Sequence, residues 1–150
     1  MVFDKTKNIA LGADHAGFEY KSAIARWLTE QGYNVSDYGT YDLHSVDYPD
    51  FAHPVAESVS KGETAFGVLC CGSANGVAIT ANKHPNARAA ICWHNEIAQL
   101  ARQHNNANII CIPARFTALA QAIDMTKTFM NTAFEGGRHE NRVNKISIPA

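Results

Sequence analysis

Residues 67–76 read GVLCCGSANG. An apolar run closes on two adjacent cysteines and gives way to five small residues. Between a strand and a helix, Gly72, Ser73, Ala74, Asn75 and Gly76 present backbone N–H groups that have no helical partner and can face an anion. Their small side chains let a substrate oxygen come close. Cys71 stands at the same turn. The positive end of the following helix is expected to lower its thiol pKa, which would ready a thiolate as base or nucleophile. The plainer alternative is a tight turn with a packed cysteine. The stretch is not a Walker loop, since no Gly-Lys-Ser/Thr follows, and it lacks the spaced glycines of the dinucleotide fingerprint.

Three other groups carry usable chemistry. Asp14-His15 follows an apolar run, where a carboxylate and an imidazole can order a sugar hydroxyl and meet a phosphate; an Asp there can equally cap the next helix. In RQHNN (102–106), His104 can serve as a general acid or base near neutral pH, or as a cation at a helix C-terminus. In GGRHENR (136–142), helical spacing puts Arg138 and Arg142 on one face, where two guanidinium forks make a phosphate clamp; a solvated charged face is the alternative. Arg115, after the run ending in Pro113, is a further anion contact. His44, His53, His84 and His94 have no informative spacing and read as surface or capping residues.

The elements that must position these groups follow from apolar periodicity. Strands are expected over Asn8–Ala13, Tyr33–Tyr38, Ala65–Cys70, Arg88–Trp93 and Ala107–Ile112. Helices are expected over Ala16–Glu30, Pro49–Ser60, Gly76–Asn82, Asn95–Gln103 and Thr117–Phe134, with a further helix to Asn144 after the Gly136-Gly137 break. Strand and helix alternate, and the strands are continuous apolar runs, as strands covered on both faces should be. The pattern predicts an α/β fold, a doubly wound five-stranded parallel sheet with helices on both faces. Ligands in such folds bind at the carboxyl ends of the strands. That puts Asp14-His15 and Cys71–Gly76 on one edge, together with the loop after the fourth strand.

The 150 residues are enough for a single domain, 1–150, with one core. A formal net charge of −1 argues against a nucleic-acid or membrane-surface partner. No apolar stretch is long enough for a membrane span, and the N-terminus lacks the features of a secretory signal, so a cytoplasmic protein is expected. Cys70, Cys71, Cys92 and Cys111 show no Cys-x-x-Cys spacing, which argues against a zinc site.

Taken together, ALGADHAGFEYK (10–21), DYP (47–49), LCCGSANGVAITANK (69–83), ARQHNNAN (101–108) and EGGRHENRV (135–143) resemble, in the same order, the type B ribose-5-phosphate isomerases, a family shared with the galactose-6-phosphate isomerase subunits. The resemblance implies a Rossmann-like sheet and a sugar-phosphate substrate. It also implies a homodimer with shared active sites, paired into tetramers in some members. The implied reaction is the reversible conversion of D-ribose 5-phosphate to D-ribulose 5-phosphate, with no metal or cofactor. By motif position Cys71 would move the proton between C1 and C2. Some members carry a glutamate base at the position of Asn75, which cannot serve as one. Ser73 takes the Ser/Thr place of the anion-hole loop formed by Gly72–Gly76. Asp14 and Tyr48 would hold the sugar, and His104 would open the furanose ring with Asn105 beside it. His15, Arg115, Arg138, His139 and Arg142 would surround the phosphate. Members often carry glycine where Ala74 stands; if that residue needs a positive φ, alanine costs energy there. A six-carbon sugar phosphate (allose or galactose 6-phosphate) is an alternative substrate, and a non-catalytic phosphosugar-binding module is the alternative from another class.

Overall fold

The computed structural model describes residues 1–149. Its strands are β1 (Ile9–Ala13), β2 (Val35–Asp37), β3 (Gly67–Cys71), β4 (Ala89–Ile91) and β5 (Ile109–Pro113). Its helices are α1 (Phe18–Glu30), α2 (Pro49–Ser60), α3 (Asn75–Ala81), α4 (Asn95–Asn105), α5 (Leu119–Asn131) and α6 (Arg138–Asn144). The strands form one parallel sheet in the order β2-β1-β3-β5-β4. The chain leaves β1 outward to β2 and returns on the other side through β3. This reversal opens a crevice at the carboxyl ends of β1 and β3, the switch point where such sheets take ligands.

Side-chain alternation along the strands builds two cores. Ile9, Leu11, Ala13, Val68, Cys70, Ile110 and Ile112 face α1, α4 and α5, and pack with Ile24, Leu28, Met125 and Phe129. Ala10, Leu69, Cys71, Ile109 and Cys111 face the opposite way and pack with Val55, Ala56, Val77 and Ala78 of α2 and α3. The adjacent cysteines of the apolar run therefore point to opposite faces: Cys70 is wholly inside the first core, and Cys71 borders the second beside the crevice. At Gly17 the start of α1 lies so close to β3 that a Cβ would stand 2.1 Å from the Cys70 carbonyl oxygen.

The boundaries differ from expectation where local contacts overrule periodicity. β2 and β4, the sheet's outer strands, hold only three residues each. α1 begins at Phe18, because Ala16 and Gly17 make the turn that Asp14 organises. α3 begins at Asn75, and α4 runs on through His104 and Asn105 until Asn106 takes a left-handed conformation (φ 48°). α5 stops at Asn131; residues 132–137 form a non-helical connection rather than the last helical turn. Lys21 is fully buried on α1, and its Nζ donates to both Asp37 carboxylate oxygens (2.6 and 2.8 Å) and to the Thr40 carbonyl (2.6 Å). It ties α1 to the end of β2 and to the loop that leads to Tyr48. Among the described residues no helix is long and apolar enough to cross a membrane.

Candidate active site

Two groups of the expected residues assemble, at opposite edges of the sheet. The first lies at the carboxyl edge. Cys71 ends β3, and its Sγ–H donates to Asp14 Oδ2 at 3.1 Å, across a sequence separation of 57 residues. The other Asp14 oxygen accepts the Gly17 N–H at 3.1 Å. One Asp14 oxygen thus organises the turn into α1, and the other meets the thiol, a contact the sequence reading did not include. Beside it, His15 Nδ1 accepts the Val46 N–H at 3.2 Å. That bond fixes the ring and leaves Nε2 available to a ligand. Asp14, His15 and Tyr48 line one cavity of about 470 Å³, within the usual range of small-ligand sites. The Tyr48 ring rests on Gly76, where a Cβ would come within 2.4 Å of it, and Arg115 lies against Gly72. Gly76 is required by this close approach, whereas at Gly72 a Cβ would meet only the Arg115 side chain, at 3.2 Å.

The Gly72–Gly76 loop has an unusual member. Ala74 is fully buried and holds φ 64°, ψ −1°, a left-handed conformation that costs alanine free energy and glycine none. The amides of Gly72 and Ala74 both approach Cys71 and favour its thiolate. Ser73 is exposed, and its Oγ accepts the Asn75 N–H at 3.4 Å.

The thiol itself corrects an expectation. Its pKa is not lowered by the helix end but raised to about 11. Burial is the largest cause, followed by the hydrogen bond to Asp14 and the charge of that carboxylate; the Gly72 and Ala74 amides oppose these and lose. α3 is short and begins four residues after Cys71, so its dipole acts on the thiol only weakly. In the isolated chain Cys71 is a neutral thiol at pH 7.

The second group lies at the amino edge. α4 runs antiparallel to the strands, so its last turn, with His104 and Asn105, reaches the level where β5 begins. Arg88, just before β4, confirms the level: its Nε donates to the Asn106 carbonyl at 2.8 Å. The His104 and His139 rings stack with centroids 4.2 Å apart and 13° between planes. His104, Asn105, His139 and Arg142 line one cavity. His139 is buried, and its pKa is lowered, first by desolvation and then by His104 and Arg138. Glu135 bridges the pair, with Oε1 3.9 Å from His104 Nε2 and Oε2 3.8 Å from His139 Nε2.

Comparison with known proteins places this arrangement. Residues 9–146 match the sequence profile of the Ribose/Galactose Isomerase family. The chain belongs to that family. Ribose-5-phosphate isomerase B of Escherichia coli K12 is 40% identical over 141 residues, covering 94% of this chain and 95% of its own. A ribose 5-phosphate isomerase from Thermotoga maritima superposes with a TM-score of 0.91 at 45% identity, over 93% of this chain and 97% of its own. The Mycoplasma genitalium ribose-5-phosphate isomerase B, solved with ribulose-5-phosphate bound, has a TM-score of 0.89 at 40% identity, over 93% of each chain.

Within this ribose/galactose isomerase, one chain brings together Asp14, His15, Tyr48, Cys71, the Gly72–Gly76 loop and Arg115. It brings together His104, Asn105, His139 and Arg142 separately, with Arg138 opening α6 beside them. It does not unite the two groups. Sequence reading missed Glu135 and the Val46 amide. Glu135 stands four residues before His139, a visible spacing, but its contact with His104 depends on the non-helical path of residues 132–137.

Proposed function

We propose that this chain interconverts D-ribose 5-phosphate and D-ribulose 5-phosphate through a cis-enediolate, at sites shared between two copies. The observation that carries the reading is the Cys71 thiol against Asp14 at the switch point, with two backbone amides approaching the same sulfur. The relative solved with ribulose-5-phosphate supports the choice of substrate.

His104 of one copy protonates the ring oxygen as the C1 hydroxyl gives its proton to water, opening the furanose, with Asn105 beside it. Cys71 of the other copy, as thiolate, removes the proton on C2 of the aldose. Negative charge moves onto the carbonyl oxygen, and the amides of the Gly72–Gly76 turn, with Ser73 beside them, stabilise it. The proton of the C2 hydroxyl passes to the C1 oxygen, and the thiol returns its proton to C1, giving the ketose. Asp14 and Tyr48 hold sugar hydroxyls. His15, Arg115, Arg138, His139 and Arg142 surround the phosphate, whose binding energy is remote from the reacting carbons.

Two features of the single chain support sharing. The catalytic groups sit at opposite sheet edges, and five-residue strands such as β3 separate those edges by roughly 13 Å at the usual rise per residue. The thiol of the isolated chain is also protonated. A sugar hydroxyl that takes over Asp14 Oδ2 removes the second cause of its raised pKa, and cations brought by a partner favour the thiolate.

The test is ketose formation from D-ribose 5-phosphate by purified protein, with allose 6-phosphate and galactose 6-phosphate alongside, each with and without EDTA. Ribulose 5-phosphate formation that dominates and survives EDTA supports the reading. Turnover confined to a six-carbon sugar phosphate would move the substrate and keep the mechanism. No turnover on any of the three, with folded protein, would overturn the enzyme reading in favour of a binding module.

A further inference from the structure

Beside the sugar-phosphate residues lies a donor set with a different chemistry. His104, Glu135 and His139 each offer one ligand atom, and these atoms lie within 4.8 Å of one another. Both Nε2 atoms face the same carboxylate, one toward each oxygen. Two imidazoles and one carboxylate make up a donor set that suits zinc and its neighbours and leaves a fourth position open.

The three ligands come from three segments held by the backbone. His104 rides the last turn of α4. The Glu135 N–H donates to the Gln103 carbonyl at 3.1 Å, which docks the connecting segment onto that turn. Arg102 Nε donates to the Thr132 carbonyl at 3.0 Å and fixes the start of the same segment. The His139 N–H donates to the Gly136 carbonyl at 3.1 Å at the entry to α6. Tetrahedral bonds of about 2.0 Å would set the ligand atoms roughly 3.3 Å apart. The observed 3.8 and 3.9 Å separations need only side-chain adjustment to reach that. Glu135 is half exposed and can supply the movement, while the buried His139 is the fixed member. The rings are stacked, with 13° between planes, so the more exposed His104 ring must also rotate well out of the stack to aim both nitrogens at one ion.

We propose that His104, Glu135 and His139 form a binding site for a divalent transition-metal ion of the zinc class, and that occupancy inhibits the enzyme. Inhibition follows because a His104 nitrogen bonded to metal cannot carry the ring-opening proton; this part rests on the role given to His104 above. Arg138 and Arg142 bring positive charge to the same neighbourhood. That charge weakens the attraction for a cation. The site is therefore one of moderate affinity that a chelator clears. Hard, oxygen-seeking magnesium is not expected to occupy two imidazoles.

The experiment uses the intact protein and Zn2+, with Mg2+ as control. Equilibrium dialysis measures zinc uptake per chain, and turnover of cyclic D-ribose 5-phosphate is followed over the same titration. Glu135→Gln is the test variant, since an exposed carboxylate can be neutralised without disturbing the core. Wild-type protein is expected to take up one ion per chain and lose turnover in parallel, with recovery on EDTA. In Glu135→Gln, affinity and inhibition are expected to weaken together by about tenfold or more, as for loss of a contributor to a metal site. No uptake, or equal uptake by wild type and Glu135→Gln, would overturn the site. Uptake that depends on Glu135 but leaves turnover untouched would overturn the inhibition and, with it, the ring-opening role of His104.

Discussion

Mixing two inactive variants tests the shared site most directly. Cys71→Ala removes the proposed base at the carboxyl edge of the sheet, and His104→Ala removes the ring-opening group at the amino edge. With the two edges roughly 13 Å apart, the mutated positions do not meet within a chain. In a two-fold dimer of one chain of each kind, one site receives both lesions and the other receives neither. Equal co-expression with random pairing makes about half the dimers mixed, each with one intact site of two, so about a quarter of wild-type activity returns. Purifying the mixed species on two different tags raises the expected value to about half of wild type per dimer. The assay is ketose formation from cyclic D-ribose 5-phosphate, with each single variant as background. A mixed dimer no more active than the single variants would refute the argument, because it would mean that Cys71 and His104 act within one chain.

Four more outcomes follow from the same structure. If the thiolate of Cys71 is the base, alkylation of Cys71 and kcat/KM should both rise with pH below the thiol's pKa, which burial and Asp14 raise to about 11 in the isolated chain. Asp14→Asn should speed alkylation at neutral pH while weakening sugar binding, and slower alkylation would reverse the role given to that carboxylate. Ala74→Gly relieves a left-handed alanine worth about 1–2 kcal/mol, but loses a buried methyl of about 0.8 kcal/mol and adds about 0.4–1 kcal/mol of unfolded-chain freedom. Its unfolding free energy should therefore stay within about 1 kcal/mol of the parent, and a loss beyond about 1.2 kcal/mol would show that the φ of Ala74 carries no strain. Alkaline pH should destabilise the fold through Cys70, Cys92 and Cys111, whose thiols burial pushes up, to about 12 for the first two. Raised folded pKa values mean that the unfolded chain sheds these protons first. Their contribution is complete below the ordinary thiol pKa and falls as pH rises through and above it, by on the order of 1 kcal/mol per thiol per pH unit. Chemical denaturation at pH 8 and pH 10 measures the slope, and a flat profile would contradict it.

Much of this was legible in the chain. The alternation of apolar runs and helical stretches gave the parallel sheet, and the small-residue turn after β3 marked the crevice. Strand order then places Asp14 and Cys71 as neighbours. What stayed hidden depends on contacts distant in sequence. The acidity of Cys71 depends on a carboxylate 57 residues away, and burial outweighs the amides that the motif suggested. The placement of His104 at the far edge could have been read from its position just before β5, since a helix entering a parallel strand must end at that strand's amino end. The left-handed state of Ala74 could be suspected only as a cost, because alanine gives no local sign of a positive φ. Glu135 was hidden because the segment that carries it leaves the helical path directly after Asn131, where periodicity predicted helix through Phe134.

The opposed directions of Cys70 and Cys71 also bear on oxidation. Pleating sends the two sulfurs to different faces of the sheet, beyond disulfide reach despite their adjacency. Cys111 shares a face with Cys71 but pairs with Leu69, two residues back along β3. A sulfenic acid formed at Cys71 therefore has no thiol of its own chain to condense with, and further peroxide carries it to acids that thiol reductants do not reverse. Activity lost to peroxide and not recovered with dithiothreitol would be the sign, while full recovery would mean that another sulfur reaches it. The protonated resting state of Cys71 then acts as chemical protection: a site with no means of repair holds its sulfur in the form that oxidants attack least.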